Sequence, residues 1–299
     1  MYILRNVTLL GATGSVGAPV LSALLSTPQI SVTVLARPSS SIAQNPPEGA
    51  KVVICPDFSH ETLVPLLRGT DALVITAGTD AFTLQHTLIT AAVEAGVKRF
   101  IPSEFGSDLN NEEVAKLGVF QTKISVRKEL QRLAEEGKIE WTGISNGALL
   151  DWGLKVGFLG IDVKNKKARL FDGGERRFSA TLLSDVAKAV VGVLMHPEET
   201  KNRLVYVHSV VLTQKQLVGI YEKLLGEKFE TTVESTEKIK QQGDEKIEKG
   251  DYSGFVDQII RALWGPNSGS DYGEKVDNEL FFIEQLTDEQ LEEVVRSTL

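Results

Sequence analysis

A chain of 299 residues, 42% hydrophobic and 24% charged, has the length and ordinary globular composition for a large α/β core with a smaller appended lobe. Its net charge of -8 argues against a general attraction to nucleic acid or anionic membrane, so any anion site must be a local concentration of positive groups. One cysteine, Cys55, rules out an internal disulfide and suits a reducing compartment; with no basic leader ahead of the first strand and no uncharged apolar run of transmembrane length, a cytoplasmic protein is expected.

The first element is Val7-Thr-Leu-Leu-Gly11-Ala-Thr-Gly14-Ser-Val-Gly17, an apolar strand running into three glycines and then an amphipathic helix with Val16, Val20, Leu21 and Leu24 on one face. Such a turn needs glycine for a left-handed backbone, for the close approach of a pyrophosphate and for tight helix–sheet packing. The helix N-terminus adds free N–H groups and a positive dipole end. Thr13, Ser15 and Val16 fall within the same turn and are expected to share the phosphate contacts. Ile30-Ser-Val-Thr-Val-Leu-Ala36 is the second strand, rich in β-branched residues, and it ends in Ala36-Arg37-Pro38-Ser39-Ser40-Ser41. An NAD site would place a carboxylate about 20 residues past the glycines. An arginine stands there instead, which with Ser39 and its neighbours is the arrangement for the 2′-phosphate of NADP; the alternative is a solvated arginine in a serine-rich loop.

Lys51-Val-Val-Ile-Cys-Pro-Asp57 reads as the third strand, with Cys55 a buried strand residue rather than a reactive thiol. Ser59 caps a short helix bearing Leu63, Val64 and Leu67, with Pro65 bending it. Asp71-Ala-Leu-Val-Ile-Thr-Ala77-Gly78 is the fourth strand, and its carboxyl end, Ala77 and Gly78, falls where ligands lie in open α/β sheets. A helix through Leu84, Leu88, Ala91 and Ala92 closes at Gly96; within it Gln85 and His86 read as surface or packing residues. Val97-Lys-Arg-Phe-Ile-Pro-Ser103-Glu104-Phe105-Gly106 is the fifth strand with its loop, Phe120 to Leu130 lies in a long helix, and Ile139-Glu-Trp-Thr-Gly-Ile-Ser145-Asn146 is the sixth strand. This alternation predicts an α/β fold with a Rossmann-type doubly wound parallel sheet.

Past Asn146 the rhythm is lost. The expected organisation is a dinucleotide-binding domain over residues 1–150 and a smaller C-terminal α/β substrate lobe over residues 151–299, with room for some of its segments to return to the core sheet. In that lobe Ala168-Arg-Leu-Phe-Asp172-Gly173-Gly174-Glu-Arg-Arg-Phe-Ser179 reads as a hairpin turning at Asp-Gly-Gly. Thr213 with Gln216 and Thr287 with Gln290 form capping boxes, and residues 234–249 read as a solvated helix face or loop.

Hydride transfer by a nicotinamide requires positioning and one proton donor or acceptor, since the cofactor carries the electrons. None of Tyr2, Tyr206, Tyr221, Tyr252 and Tyr272 has a lysine four residues later, so the Tyr-x-x-x-Lys mechanism of many short-chain dehydrogenases is absent. The histidines His60, His86, His196 and His208 show no metal-ligand spacing, and no Gly-x-Ser-x-Gly elbow occurs.

The glycine turn, Arg37, the Pro-Ser103-Glu104-Phe105-Gly loop and Phe120-x-x-Lys123-x-x-Val126-Arg127 together resemble the isoflavone reductase and phenylcoumaran benzylic ether reductase family, atypical short-chain dehydrogenases of the NmrA-like group. The resemblance covers about the first 150 residues. It implies an NADPH-dependent reductase of a small aromatic, phenolic or enone-type substrate, with Lys123 as general base or proton relay and Arg37 on the 2′-phosphate. Ser103, Glu104 and Phe105 would then line the nicotinamide region, largely through backbone and packing, and Asn146 would complete the pocket floor. A lysine near the carboxyl ends of the strands can be desolvated, which frees its neutral amine. The expected partner is a small aromatic molecule, with the chain a monomer or homodimer. Two other readings stand beside this one: a dinucleotide-binding regulator without turnover, as NmrA-like proteins also include, and a redox-neutral isomerase or dehydratase that keeps the cofactor as structure.

Overall fold

The structure, a computed structural model, describes residues 2–78 and 83–299. Its strands in chain order are β1 (Asn6–Leu10), β2 (Ser31–Ala36), β3 (Ala50–Ile54), β4 (Ala72–Ile75), β5 (Arg99–Ile101), β6 (Glu140–Ser145), β7 (Ala148–Leu149), β8 (Ile161–Asp162), β9 (Lys167–Phe171), β10 (Phe178–Thr181), β11 (Arg203–Tyr206), β12 (Val210–Leu212) and β13 (Glu230–Glu234). The helices are α1 (Gly17–Leu25), α2 (Ser41–Gln44), α3 (His60–Leu67), α4 (Leu84–Ala95), α5 (Glu112–Ala115), α6 (Gln121–Glu135), α7 (Leu150–Lys155), α8 (Leu183–Met195), α9 (Pro197–Thr200), α10 (Gln214–Leu225), α11 (Thr236–Glu248), α12 (Gly254–Trp264) and α13 (Asp288–Arg296).

Seven strands pair in parallel in the order β11-β6-β5-β4-β1-β2-β3. Strand periodicity divides their side chains between two helical layers. Val7, Leu9, Ala72, Val74 and Val205 pack with α1 and α8, whereas Leu10, Leu73, Ile75, Phe100 and Trp141 pack with α3, α4 and α6. The order reverses between β1 and β4, and the crevice at such a reversal is where open α/β sheets take ligands. The local signals hold: Ser59 Oγ accepts from Thr62 N, Gly96 closes α4 in a left-handed conformation, and both capping boxes form. Pro65 lies inside α3. Cys55 is buried just past β3.

The seventh strand, β11, arrives from far along the chain and closes the β6 edge, pairing Arg203 through Tyr206 with Thr142 through Ser145. A second core gathers around Trp264, whose ring meets Phe171 at 4.9 Å and Phe178 edge-on at 5.3 Å, with α10, α12 and α13 closing over it.

One expectation for this region is corrected and another is extended. The segment around Asp172 is not a hairpin, because β9 pairs with β8 and β13 while β10 pairs with β7 and β12. Both edges of β9 are thus taken. The turn is fixed from elsewhere: Asp172, Gly173 and Gly174 all have positive φ, and the Asp172 carboxylate accepts from the backbone and hydroxyl of Thr236 at the start of α11. Residues 234–249, read as a solvated helix face or loop, hold α11, whose charged face is exposed as expected and whose other face, with Ile239 and Gly243, packs closely on α12. A Cβ on Gly243 would come within 2.7 Å of Asp257 Cβ and of Gly254 O, so paired glycines let the two helices touch backbone to backbone.

The Trp264 indole is fully buried, and its Nε1 has no hydrogen-bond partner among the described residues. Trp264→Ala should therefore cost about 3–5 kcal/mol in urea unfolding, as a large core truncation does. Trp264→Phe, which keeps most of the ring and removes the unsatisfied donor, should cost less than about half of that.

Candidate active site

β1 delivers the chain into the glycine turn. Gly11 has φ +91°, and a Cβ on it would come within 2.5 Å of the Ala77 amide nitrogen. A Cβ on Gly17 would run into the Gly11 carbonyl oxygen, so α1 lies against the turn only with glycine there. Gly14 is different, since a Cβ on it would meet nothing nearer than Gly11 O at 3.4 Å. The fold does not require glycine at this position, and the bare backbone is left for something outside the chain to approach. Thr13, Gly14 and Ser15 are exposed beside it, and α1 begins after Val16 with neither a side-chain cap nor an acidic residue in its first turn. Neither its cap nor its first turn offsets the positive dipole end.

Gly11, Thr13, Arg37, Ser39 and Ala77 line one cavity of about 600 Å³, which Asp57 and Phe58 bound on the far side. Arg37 and Ser39 are exposed at its rim, and Arg37 makes no ion pair with another described residue. Gly78 lies exposed beyond β4. Ser103, Glu104, Phe105, Lys123 and Asn146 do not line this cavity. They lie instead around the carboxyl ends of β5 and β6, tied to the glycine crevice where Ser103 Oγ donates to Ala77 O at 2.8 Å. Gln85, expected to be a packing or surface residue, is buried and accepts from Ser103 N at 2.8 Å.

In this second group Lys123, near the start of α6, points its Nζ at the Glu104 carbonyl oxygen, 2.6 Å away. The residue is only partly exposed, and desolvation of its ammonium pulls its pKa down to about 8; Glu104 opposes the shift and Arg127 adds to it. The Glu104 side chain turns away from the crevice into a buried fork with Arg127, Nε to Oε1 at 2.7 Å and Nη2 to Oε2 at 2.6 Å. Phe105 follows with φ +20°. Asn146 is wholly buried: its Nδ2 donates to Gly147 O, and its Oδ1 has no partner among the described residues. His86 bridges α4 to α6 through Glu129, and no group of three or more His, Cys, Asp or Glu among the described residues could hold a metal ion.

The family model described as the NmrA-like family matches residues 5–250. The chain belongs to the NmrA-like family. It is 33% identical to the oxidoreductase aprR of Aspergillus flavus over 248 residues, 82% of each chain, and 30% identical to the oxidoreductase poxI of Penicillium oxalicum over 254 residues, 84% of this chain and 79% of that one. A more distant relative is the isoflavone reductase of Pisum sativum, 28% identical over 60% of this chain and 57% of that one. In fold it is similar to the structure of AtPrR2 with NADP+ and (+)-pinoresinol, with a TM-score of 0.80 at 22% identity over the whole of both chains. The leucoanthocyanidin reductase–NADPH complex of Vitis vinifera is similar too, with a TM-score of 0.79 at 21% identity over 98% of this chain and 99% of that one. No helix among the described residues is long and apolar enough to cross a membrane.

Two residues of this NmrA-like chain complete the site without having been singled out for it by the sequence. Arg127 belongs to the Phe-x-x-Lys motif but had no role there; its spacing of four from Lys123 on a helix is the signal that puts both on one face. Tyr272 carries no such signal, lying in an irregular stretch among glycine, serine and aspartate. Its buried hydroxyl joins the ends of β5 and β6, donating to Gly106 O at 3.1 Å, accepting from Gly147 N at 3.0 Å and sharing a bond of 2.8 Å with Ser145 Oγ. Tyr206 packs edge-on against it and donates to Asp108 at 2.9 Å. Burial pushes the Tyr206 phenol up to about 12 and raises that of Tyr272 as well, so both are neutral phenols at physiological pH.

The glycines separate into structural and open positions, and substitution should separate them too. Gly17→Ala should lower the melting temperature by many degrees or prevent folding. Gly14→Ala should melt within about 2 °C of the wild type in the same thermal scan.

Proposed function

We propose that this NmrA-like protein is an NADPH-dependent reductase of a small aromatic substrate, phenolic or enone-type, in which Lys123 moves the balancing proton. The observation that carries the reading is the position of Lys123: a desolvated lysine with a pKa of about 8, held at the carboxyl ends of β5 and β6 beside a glycine crevice. Relatives named as oxidoreductases and neighbours solved with NADP+ or NADPH support it.

The residues present fit a dinucleotide. The open backbone at Gly14 and the uncapped start of α1 suit a pyrophosphate, and Arg37 at the rim, without an ion pair to any described residue, suits a 2′-phosphate. Asn146, wholly buried and with an Oδ1 that has no partner among the described residues, would sit in the pocket floor. Bound NADPH supplies the hydride. Lys123 holds or takes a proton at the substrate oxygen, and its desolvation brings its free amine within reach of neutral pH. The phenols of half-buried Tyr206 and buried Tyr272 stay protonated and build the floor. The aromatic preference rests on the family likeness, since the substrate named for AtPrR2, pinoresinol, belongs to that protein.

For a phenolic substrate Lys123 takes the phenol proton as neutral amine, so kcat/KM rises as pH passes about 8; for an enone it gives the proton as ammonium, and kcat/KM falls through the same pH. Assayed with NADPH and a panel of aromatic enones and benzylic ethers, the wild type should turn over at least one of them. Lys123→Ala should lose about 100-fold or more in kcat/KM together with its limb near pH 8. Full activity in that variant overturns the role of Lys123. Tight binding of NADPH with no turnover of any substrate would favour a dinucleotide-sensing regulator instead.

Arg37→Asp should weaken NADPH binding by about 100-fold, read by quenching of protein fluorescence, while changing NADH binding by no more than about threefold. Equal losses for the two dinucleotides would remove Arg37 from the 2′-phosphate.

A further inference from the structure

Lys123 and Arg127 stand one helical turn apart on α6 and hold the same residue by its two ends. Lys123 Nζ donates to the backbone carbonyl of Glu104 at 2.6 Å, and Arg127 forks onto its carboxylate at 2.6 and 2.7 Å. Glu104 and Arg127 are each only 5% exposed, and the third arm of the guanidinium, Nη1, donates to Asn110 Oδ1 at 3.0 Å. The Glu104 carboxylate lies against the bare Gly143 of β6, where a Cβ would come within 2.5 Å of Oε2. The side chain is therefore fixed by a strand on one side and by an arginine on the other, and the carbonyl that holds Lys123 is fixed with it.

We infer that the buried Glu104–Arg127 pair is a positioning device for Lys123, holding the carbonyl that anchors its ammonium and balancing the charge around it; this rests on the proposed role of Lys123 as proton relay. The two charges act on the lysine in opposite senses, the carboxylate favouring its ammonium form and the guanidinium disfavouring it. Paired, they leave desolvation as the dominant influence.

The test reads Lys123 itself. Isotope-labelled reductive methylation of the full-length protein, with Lys123 assigned by the signal missing from Lys123→Arg, follows its titration by NMR with neither substrate nor cofactor. The result therefore stands apart from the reductase reading, which fails separately if Lys123→Ala keeps its turnover. Arg127→Gln should raise the Lys123 midpoint by about half a pH unit or more, and Glu104→Gln should lower it by a similar amount. No movement in either variant overturns the inference. So does a rise in both, which is what a loosened fold that merely exposes the lysine would give.

Should the single variants not fold, the double variant Glu104→Gln with Arg127→Met leaves no buried unpaired charge. In the wild type the two methyl groups on a restrained Lys123 should give separate resonances, and in the double variant they should merge. Separate resonances at the wild-type midpoint in the double variant, or a single averaged resonance already in the wild type, overturns the positioning role.

Discussion

The contact between Gly17 and the Gly11 carbonyl sets the geometry of the whole crevice, because no side chain fits between α1 and the end of β1. The N-terminus of α1 is thereby pressed to the place where the strand order turns from β1 outward to β2 on one side and β4 on the other. Everything that follows uses that position. β2 leads into Arg37 at the rim of the same cavity, the chain past β4 lays Ala77 against Gly11, and Ser103 beyond β5 ties back to Ala77. The close helix–strand approach is thus more than local packing. It brings the ends of four parallel strands into register around one opening.

On the other side of that opening the structure keeps charge out of water. A carboxylate and a guanidinium, both buried, are worth little to stability as a pair, because their desolvation offsets most of their attraction. Breaking the pair is another matter, costing on the order of 3–5 kcal/mol when one charge is left alone. An apolar substitute would fill the same volume with less risk, but it could not hold the Glu104 carbonyl in place or counter the field at Lys123. Tyr272 and Tyr206 add to the same floor as phenols that keep their protons near neutral pH.

Legibility in the sequence followed the range of the interactions. The parallel sheet, the glycine turn and the helix caps depend on neighbours within a few residues or on apolar periodicity, and each could be read from β1 through β6. Lys123 was legible through the motif around it. The same held for Arg37, whose place at the end of β2 is fixed by counting from the glycines. What escaped depends on pairing at long range. β9 and β10 flank a good turn signal at Asp172 but answer to different sheets, because β8 and β13 take both edges of β9. The α11–α12 contact hides behind a charged surface, since only Gly243 and Gly254 betray it and isolated glycines say little. Tyr272 bonds to partners more than a hundred positions earlier in the chain, and nothing local marks it.

The late entry of β11 has a bearing on how the chain comes to be folded as it leaves the ribosome. Six strands can assemble in order as they emerge, but β6 then presents an open edge until Arg203–Tyr206 is made, with β7 through β10 and α7 through α9 lying between them in sequence. An exposed edge strand of a half-built parallel sheet is a template for pairing with other chains. Closing a loop of that length also makes completion of the sheet slow compared with the formation of its local units. The seventh strand therefore sets an order of events: the sheet stays open at β6 until residues 203–206 emerge, the second core waits for Trp264, which emerges later still, and the floor beneath Lys123, which needs Tyr206 from β11 and Tyr272 beyond it, is among the last parts to be built.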